Sequence, residues 1–243
     1  MSTTDNHRSW AMYYDEVNRR CFGEYYEQLT QQTLQQIGEL GSGLSIADFG
    51  AGTGRLAIPL AAAGHQVTAI EPSKAMLAQL EAKPAHGRIQ PHHASLCSYA
   101  GPGEHDLALA VFTVIAYILS PEDLAASFAN AAKALKPDGA LLIDVPRSVL
   151  FRDNHARPAG LTRVITFTPL GNSLFNYHES TQLTTNDGLV SYEDSFTLRH
   201  WTTDEVRAAL AEARLTVAED WSDRFPMAGA EYWLCKKTGR NED

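Results

Sequence analysis

Apolar positions in the first forty residues recur at three- and four-residue steps. Trp10, Tyr13, Tyr14, Val17 and Cys21 form one series, and Tyr25, Leu29, Leu34 and Ile37 continue it. That spacing predicts helix over residues 1–42, ended by Gly41-Ser42-Gly43. Beyond it the period changes. Short apolar runs at residues 44–49, 66–70, 88–92, 107–112 and 140–145 alternate with helical stretches at 55–63, 74–82 and 121–135. ALALAVF and ALLIDV are apolar throughout, as strands buried on both faces are. Such alternation predicts a doubly wound parallel sheet with right-handed crossovers and helices on both faces.

Helix signals fall at the same boundaries. Ser73 is placed to cap KAMLAQL, and Ser120-Pro121 supplies a cap and an N1 proline for the next helix. Pro137-Asp138-Gly139 is expected to turn the chain into the fifth strand. Thr202 and Glu205 form a capping box ahead of VRAALAEARL. In the last third, residues 161–167, 174–183 and 189–200 are strand-like with no helix between them. Asn186-Asp187-Gly188 marks a hairpin between the latter two. Residues 215–221 and 230–236 are expected to be closing strands.

Composition narrows the class. The 243 residues are 44% hydrophobic and 20% charged, which fits one large soluble α/β domain. No apolar run reaches the roughly 20 residues of a membrane span, and the polar N-terminus points to the cytoplasm. Cys21, Cys97 and Cys235 are odd in number and scattered, which argues against disulfides or structural zinc. His92 and His93 would point to opposite faces of a strand with no third ligand nearby, so no metal is expected. The 20 Lys+Arg against 29 Asp+Glu give −9, which weighs against nucleic acid as a partner.

The most informative stretch is Asp48-Phe49-Gly50-Ala51-Gly52-Thr53-Gly54-Arg55, between the first strand and its crossover helix. Glycines there let the backbone turn tightly and approach a ligand. A dinucleotide fingerprint would need Gly where Arg55 stands, and an acid ahead of the loop would repel a pyrophosphate. Asp48 suits a ligand with positive charge; the alternative is that it merely caps the helix. Glu71-Pro72 ends the second strand, where a carboxylate can accept ribose hydroxyls.

Together, IADFGAGTGRLAIPLAAAGHQVTAIEPSKAML resembles the first two motifs of class I S-adenosylmethionine-dependent methyltransferases, and the resemblance runs over residues 45–145. It implies a Rossmann-like seven-stranded sheet with the last strand antiparallel. It further implies that S-adenosylmethionine is bound over the carboxyl ends of the strands, contacted by Asp48, Gly50, Gly52, Glu71, Pro72 and Met76. Ser95-Leu96 aligns with the family's adenine-contacting pair, Ser standing where Asp is usual. The backbone carbonyl near Phe112 would meet the methionine ammonium, and Tyr117 would lie near the transfer site, with Ala116 where many relatives have His.

The resemblance implies one methyltransferase domain over residues 1–243. Its parts are a helical lid (1–42), a cofactor-binding half (43–145), a substrate-binding β insertion (146–200), and a final helix with strands (201–238). Small-molecule members use a Tyr from the N-terminal helix, so Tyr14 is a candidate for cofactor contact and catalysis. Trp10, Tyr117, Arg147, Tyr177 and His200 are candidates for the substrate side. His178 is the candidate general base, since a neutral imidazole is the usual one near neutral pH. The expected reaction moves a methyl group to a nitrogen or oxygen of a small molecule, of the kind met in secondary metabolism, with the protein monomeric or homodimeric. The alternatives are a tRNA or protein methyltransferase, or a cofactor-binding protein without turnover. Aminopropyl transfer fits less well, because Phe112-Thr113 stands where that chemistry would need a carboxylate.

Overall fold

The computed structural model describes residues 6–84 and 88–238. The N-terminal series folds as a 3-10 turn, Ala11–Tyr13, leading into helix α1, Tyr14–Leu40. α1 bends at Gly23, whose φ of 48° and ψ of −129° are not helical. A Cβ there would meet nothing within 4 Å, so the backbone angle and not crowding requires glycine.

Alternation follows as β1 (Ser45–Phe49), α2 (Ala57–Ala62), β2 (Gln66–Glu71), α3 (Lys74–Glu81), β3 (Ile89–His93), β4 (His105–Ala110), α4 (Pro121–Ala134) and β5 (Leu135–Pro146). Four strands come next: β6 (Asn154–Ala156), β7 (Leu161–Gly171), β8 (Leu174–Thr185) and β9 (Gly188–Arg199). The chain closes with α5 (Thr203–Glu212), β10 (Leu215–Asp220) and β11 (Ala230–Lys237).

Seven strands form one sheet ordered β10-β11-β5-β4-β1-β2-β3, in which β11 lies antiparallel between β10 and β5. This is the Rossmann-like arrangement expected. Leu141 and Ile143 join the core on one face with Phe49 and Phe128, while Leu142 joins Ile46 and Leu60 on the other. The continuous apolar run of β5 is therefore explained by burial on both sides. The chain order reverses between β1 and β4, so a crevice opens at their carboxyl ends.

The caps hold the crossovers in place. Ser73 accepts the Met76 N–H at 3.3 Å, Ser120 accepts the Asp123 N–H at 3.1 Å, and Thr202 with Glu205 closes a reciprocal capping box.

β6, β7, β8 and β9 form a separate antiparallel sheet in that order. It reaches the rest of the molecule through two apolar clusters. Trp10 and Val17 pack with Leu161, Leu183 and Tyr192, and Ala116 packs with Ile165, Tyr177, Phe196 and Leu198. Trp10 is only 1% exposed. Full burial of a large apolar side chain contributes about 3 kcal/mol, enough to fix the N-terminal segment on this sheet.

Three local features differ from the sequence expectation. β5 starts at Leu135, so Pro137-Asp138-Gly139 lies inside the strand, where pairing with β4 is irregular between His105 and Leu107. α2 starts two residues later than expected, after the turn at Gly54. Asn172 and Ser173, with φ of 51° and 60°, make an unforeseen tight hairpin between β7 and β8. Cys21, Cys97 and Cys235 are free thiols. Among the described residues, no helix is long and apolar enough to cross a membrane.

Candidate active site

The loop after β1 is drawn against β2. Gly50 and Ala51 donate their N–H groups to the Ile70 carbonyl at 2.8 and 3.2 Å. Gly50 has φ of 71°, and a Cβ on it would lie 2.6 Å from Val114, so both angle and space demand glycine. Glu71 spans two elements: Oε2 accepts the Gly52 N–H at 2.9 Å, and Oε1 accepts the Ser73 N–H at 2.8 Å. The Met76 methyl lies 3.6 Å from where a Cβ on Gly52 would sit. The Pro72 carbonyl meets Nε2 of His93 at 2.9 Å.

Asp48 is buried beneath this loop, and its Oδ2 has no hydrogen-bond partner among the described residues. Burial, reinforced by repulsion from Glu71, pushes its carboxyl up to about 7, against the pull of the Ala57 N–H at the start of α2. A buried carboxylate oxygen without a partner is costly unless a cation or donor reaches it. The helix-capping and ligand-binding readings of Asp48 are thus compatible. The residues fit a ligand with positive charge at the loop.

At the end of β4, Phe112 and Thr113 are consecutive residues with φ of 65° and 69°. Left-handed conformations in residues other than glycine cost about 1–3 kcal/mol each. Asp144, buried at the end of β5, offsets this by accepting the Thr113 N–H at 3.0 Å from both of its oxygens. Burial pushes its carboxyl up to about 7 as well. Arg55 explains the missing glycine of the dinucleotide pattern. Its guanidinium lies 3.7 Å from the ring centroids of both Tyr26 and Phe112, and it donates to Thr30 Oγ1 at 2.7 Å and the Tyr26 carbonyl at 2.9 Å. α1 is therefore stapled across the glycine loop and the β4 exit.

Beside this lies a cavity of about 480 Å³ between the N-terminal segment, the turn after β4 and the four-stranded sheet. Trp10, Tyr14, Tyr117, Phe167 and Tyr177 line it, with His7, Asn18, Arg152 and Arg163 among its polar groups. Trp10 stacks on Tyr192 at 5.3 Å, and Tyr177 on Phe196 at 4.5 Å. Burial raises the Tyr14 phenol, Arg55 and Arg163 draw it down, and Glu71 pushes it up. The cofactor loop and the cavity thus act on one residue.

A protein-family model described as "Methyltransferase domain" matches residues 46–139, which run from β1 into β5. A putative methyltransferase of Geobacillus sp. (strain WCH70) is 27% identical over 247 residues, covering 95% of this chain and 99% of that protein. Residues 46–139 thus match a methyltransferase domain, and the chain around them has the fold of S-adenosylmethionine-dependent methyltransferases. Many solved structures share its fold, among them two methyltransferases. An S-adenosylmethionine-dependent methyltransferase from Clostridium acetobutylicum aligns with a TM-score of 0.78 at 14% identity, over 94% of this chain and 99% of that one. The amino pentose methyltransferase CalS10 from Micromonospora echinaspora, solved with S-adenosylmethionine bound, gives 0.72 at 20% identity, over 93% and 97%.

The fold of this chain is the one in which CalS10 holds S-adenosylmethionine, the cofactor that the sequence resemblance implies for this methyltransferase domain. Asp48, Gly50, Gly52, Glu71, Pro72 and Met76 come together at its glycine loop, with Phe112 across the crevice. Ser95 turns onto Ser98 Oγ at 3.0 Å, and Leu96 is buried in the core with Phe49 and Tyr99. On the other side, Trp10, Tyr14, Tyr117 and Tyr177 meet in the cavity.

Three expected residues do not line that cavity. His178 pairs with Thr166 and Ser195 on the outer face of the insertion, because Tyr177 and Glu179 take the inner face and strand side chains alternate. This removes it as the general base. His200 follows β9, with its ring edge-on to Phe151 at 5.2 Å. Arg147 is exposed, 3.9 Å from the Glu231 carboxylate, and Arg152 takes its place on the wall. The sequence reading missed His7, Asp194, Arg163, Glu179 and Asp144. Asp194 carried a signal, as a carboxylate between Tyr192 and Phe196 on an otherwise aromatic strand face. His7, ahead of any periodic pattern, carried none.

Proposed function

We propose that this domain methylates a nitrogen or oxygen of a small molecule held in the aromatic cavity. The cavity carries the reading: about 480 Å³ suits a small organic ligand, and its walls combine aromatic and aliphatic side chains with polar groups such as His7, Asn18, Arg152 and Arg163. A groove for RNA would need a basic track to neutralise phosphates, whereas the chain carries −9. The likeness to an amino pentose methyltransferase spans 93% of the chain, insertion included, and supports a sugar-sized substrate.

On this reading the chain is one methyltransferase domain. Residues 1–42 cover the site, 43–145 hold the cofactor, 146–200 bind the substrate, and 201–238 complete the sheet. It works in the cytoplasm, as a monomer or homodimer. When bound, S-adenosylmethionine supplies a methyl group activated on a sulfonium centre. Asp48 answers its positive charge, Glu71 its ribose, and the open face of Gly50 and Gly52 lets it approach. Tyr14 and Tyr117 orient the nucleophile, and Trp10 and Tyr177 help exclude water, so that positioning supplies much of the rate.

Release of S-adenosylhomocysteine, followed while candidate small molecules are added, tests the proposal. Turnover confined to RNA or protein acceptors would overturn it. Cofactor binding with no turnover of any acceptor would make the chain a binding protein instead.

A further inference from the structure

His7, which the cofactor does not explain, is built into a chain of polar groups that ends in the cavity. Its Nε2 lies 2.9 Å from the Tyr117 hydroxyl. Its buried Nδ1 faces Asp194 Oδ2 at 3.5 Å but makes no hydrogen bond among the described residues; that oxygen accepts instead the His7 backbone N–H at 2.9 Å and the Trp10 indole N–H at 3.1 Å. The rings of Trp10, Tyr14, Tyr117 and Phe196 surround the imidazole edge-on at 5.0–5.9 Å. His7 sits there with a left-handed φ of 67°. A phenol must donate to one ring nitrogen for the other to keep its hydrogen. A carboxylate facing Nδ1 attracts a hydrogen there and repels a lone pair, which favours the tautomer whose Nε2 lone pair accepts from Tyr117.

We propose that Asp194, His7 and Tyr117 form a proton relay that serves a hydroxyl nucleophile, so that the small-molecule substrate is methylated on oxygen. The inference rests on the small-molecule reading above. As the substrate oxygen bonds to the methyl group, the methyl–sulfur bond breaks with its electron pair left on the departing thioether, and the substrate hydroxyl proton passes to the Tyr117 oxygen. Tyr117 gives its own proton to His7 Nε2 in the same step, and the resulting imidazolium faces Asp194. One proton leaves the substrate and one arrives on His7; the phenol is unchanged, and the imidazolium returns its proton to solvent after product leaves. Tyr117 is the catalytic residue, while His7 and Asp194 act through it as positioning residues.

The surrounding groups suit these roles. Burial holds the His7 imidazole below its ordinary value; Asp194 on β9 and Glu179 on β8 raise it, and Arg163 on β7 lowers it. It is therefore a neutral acceptor at neutral pH. Desolvation by the surrounding side chains, then Tyr14, Glu71, Asp194 and Glu179, raise the Tyr117 phenol above its ordinary value although the residue is 37% exposed, so it hands a proton on and does not keep a negative charge. Such a base is too weak to draw a proton from an alkylammonium. It is well matched to an alcohol or phenol, whose oxygen becomes strongly acidic as the methyl group is transferred.

The test has two parts. In the S-adenosylhomocysteine-loaded protein, ¹⁵N spectra of the His7 ring should show the Nδ1–H tautomer, and Tyr117→Phe should disturb it; an Nε2–H tautomer overturns the relay. Turnover is then measured on a panel of small alcohols and phenols and on the matching amines. Hydroxyl acceptors should be turned over with a rate that falls at acid pH. His7→Gln should lower kcat by about 100-fold or more, leave KM and S-adenosylhomocysteine affinity in place, and abolish the acid limb. Tyr117→Phe should lower kcat similarly. Turnover of amines alone, or an acid limb retained by His7→Gln, overturns this inference and leaves the small-molecule reading standing. No turnover of either panel, with transfer to RNA or protein, removes both.

Discussion

Asp15 of α1 accepts a hydrogen bond from the Thr53 hydroxyl of the glycine loop at 2.5 Å. Lys83, just beyond α3, ties the same contact down by reaching Asp15 Oδ2 at 2.5 Å and the Thr53 carbonyl at 2.7 Å. The N-terminal helix is thus latched onto the loop that holds the cofactor. The Asp15 and Lys83 side chains are 49% and 31% exposed, so the ion pair adds little to stability, about 0–1 kcal/mol. Asp15→Ala should leave the melting temperature nearly unchanged and speed S-adenosylhomocysteine dissociation several-fold, as read by stopped-flow fluorescence. An unchanged off-rate would show that the latch does not gate the cofactor.

Asp48 is raised to about 7 in the unliganded fold, from an ordinary 3.8. Between those values the folded chain holds a proton that the unfolded chain has released, so stability falls as pH rises through the window. Asp144, also raised to about 7, adds to the same slope. Binding of a cation requires ionised Asp48, so S-adenosylmethionine affinity should climb by up to about tenfold per pH unit from 5.5 toward 7, then level off. Calorimetry in buffers of different ionisation enthalpy should show proton release at pH 6. Asp48→Asn should bind weakly and with little pH dependence below 7; a steep slope in that variant would assign the proton elsewhere.

The cofactor half was legible because each of its signals is local. Strands buried on both faces are continuously apolar, Ser73, Ser120 and Thr202 cap with their own side chains, and the Asp48–Glu71 motif lies within one βαβ unit. The insertion was legible as strands but not as faces. On β8 the inner positions Tyr177, Glu179 and Thr181 are no more apolar than the outer Asn176, His178 and Ser180. Alternation alone therefore could not say that His178 points away. The Asn172-Ser173 turn has its glycine one position early, at Gly171, and not within the two-residue loop as an Asn-Gly or Asp-Gly signal would have it. His7 gains its meaning from Tyr117 and Asp194, more than a hundred residues away.

Gly23 offers a test of backbone geometry free of packing. A methyl group there touches nothing within 4 Å, yet φ of 48° with ψ of −129° is strained for any L side chain. Gly23→Ala should therefore destabilise the protein by about 1–3 kcal/mol through the bend of α1 alone. The bend sets how Tyr14 approaches the cavity, so KM for the small-molecule substrate should rise as well. A variant as stable as wild type in urea melts would mean that α1 can straighten without loss.

Arg163 and Glu179 provide the last expectation, because they are buried on the inner face of the insertion with side chains 6% and 0% exposed. Their contact is bidentate, Nε to Oε1 at 2.9 Å and Nη2 to Oε2 at 2.8 Å. Tyr177 and Thr181 donate to the same carboxylate, and Asn18 of α1 accepts from Arg163 at 3.3 Å. Glu179→Ala leaves a guanidinium without its counter-charge, which should cost about 3–5 kcal/mol in urea unfolding. Replacing both partners, as Arg163→Met with Glu179→Leu, removes the charge and its penalty together and should recover more than half of that loss. Recovery should stop short of wild type, because Tyr177, Thr181 and Asn18 then lack their partner. A single mutant losing less than about 1 kcal/mol would mean that water reaches the pair. The inner face of the insertion would then be wet, and the dry cavity on which the methyl-transfer reading depends would fail with it.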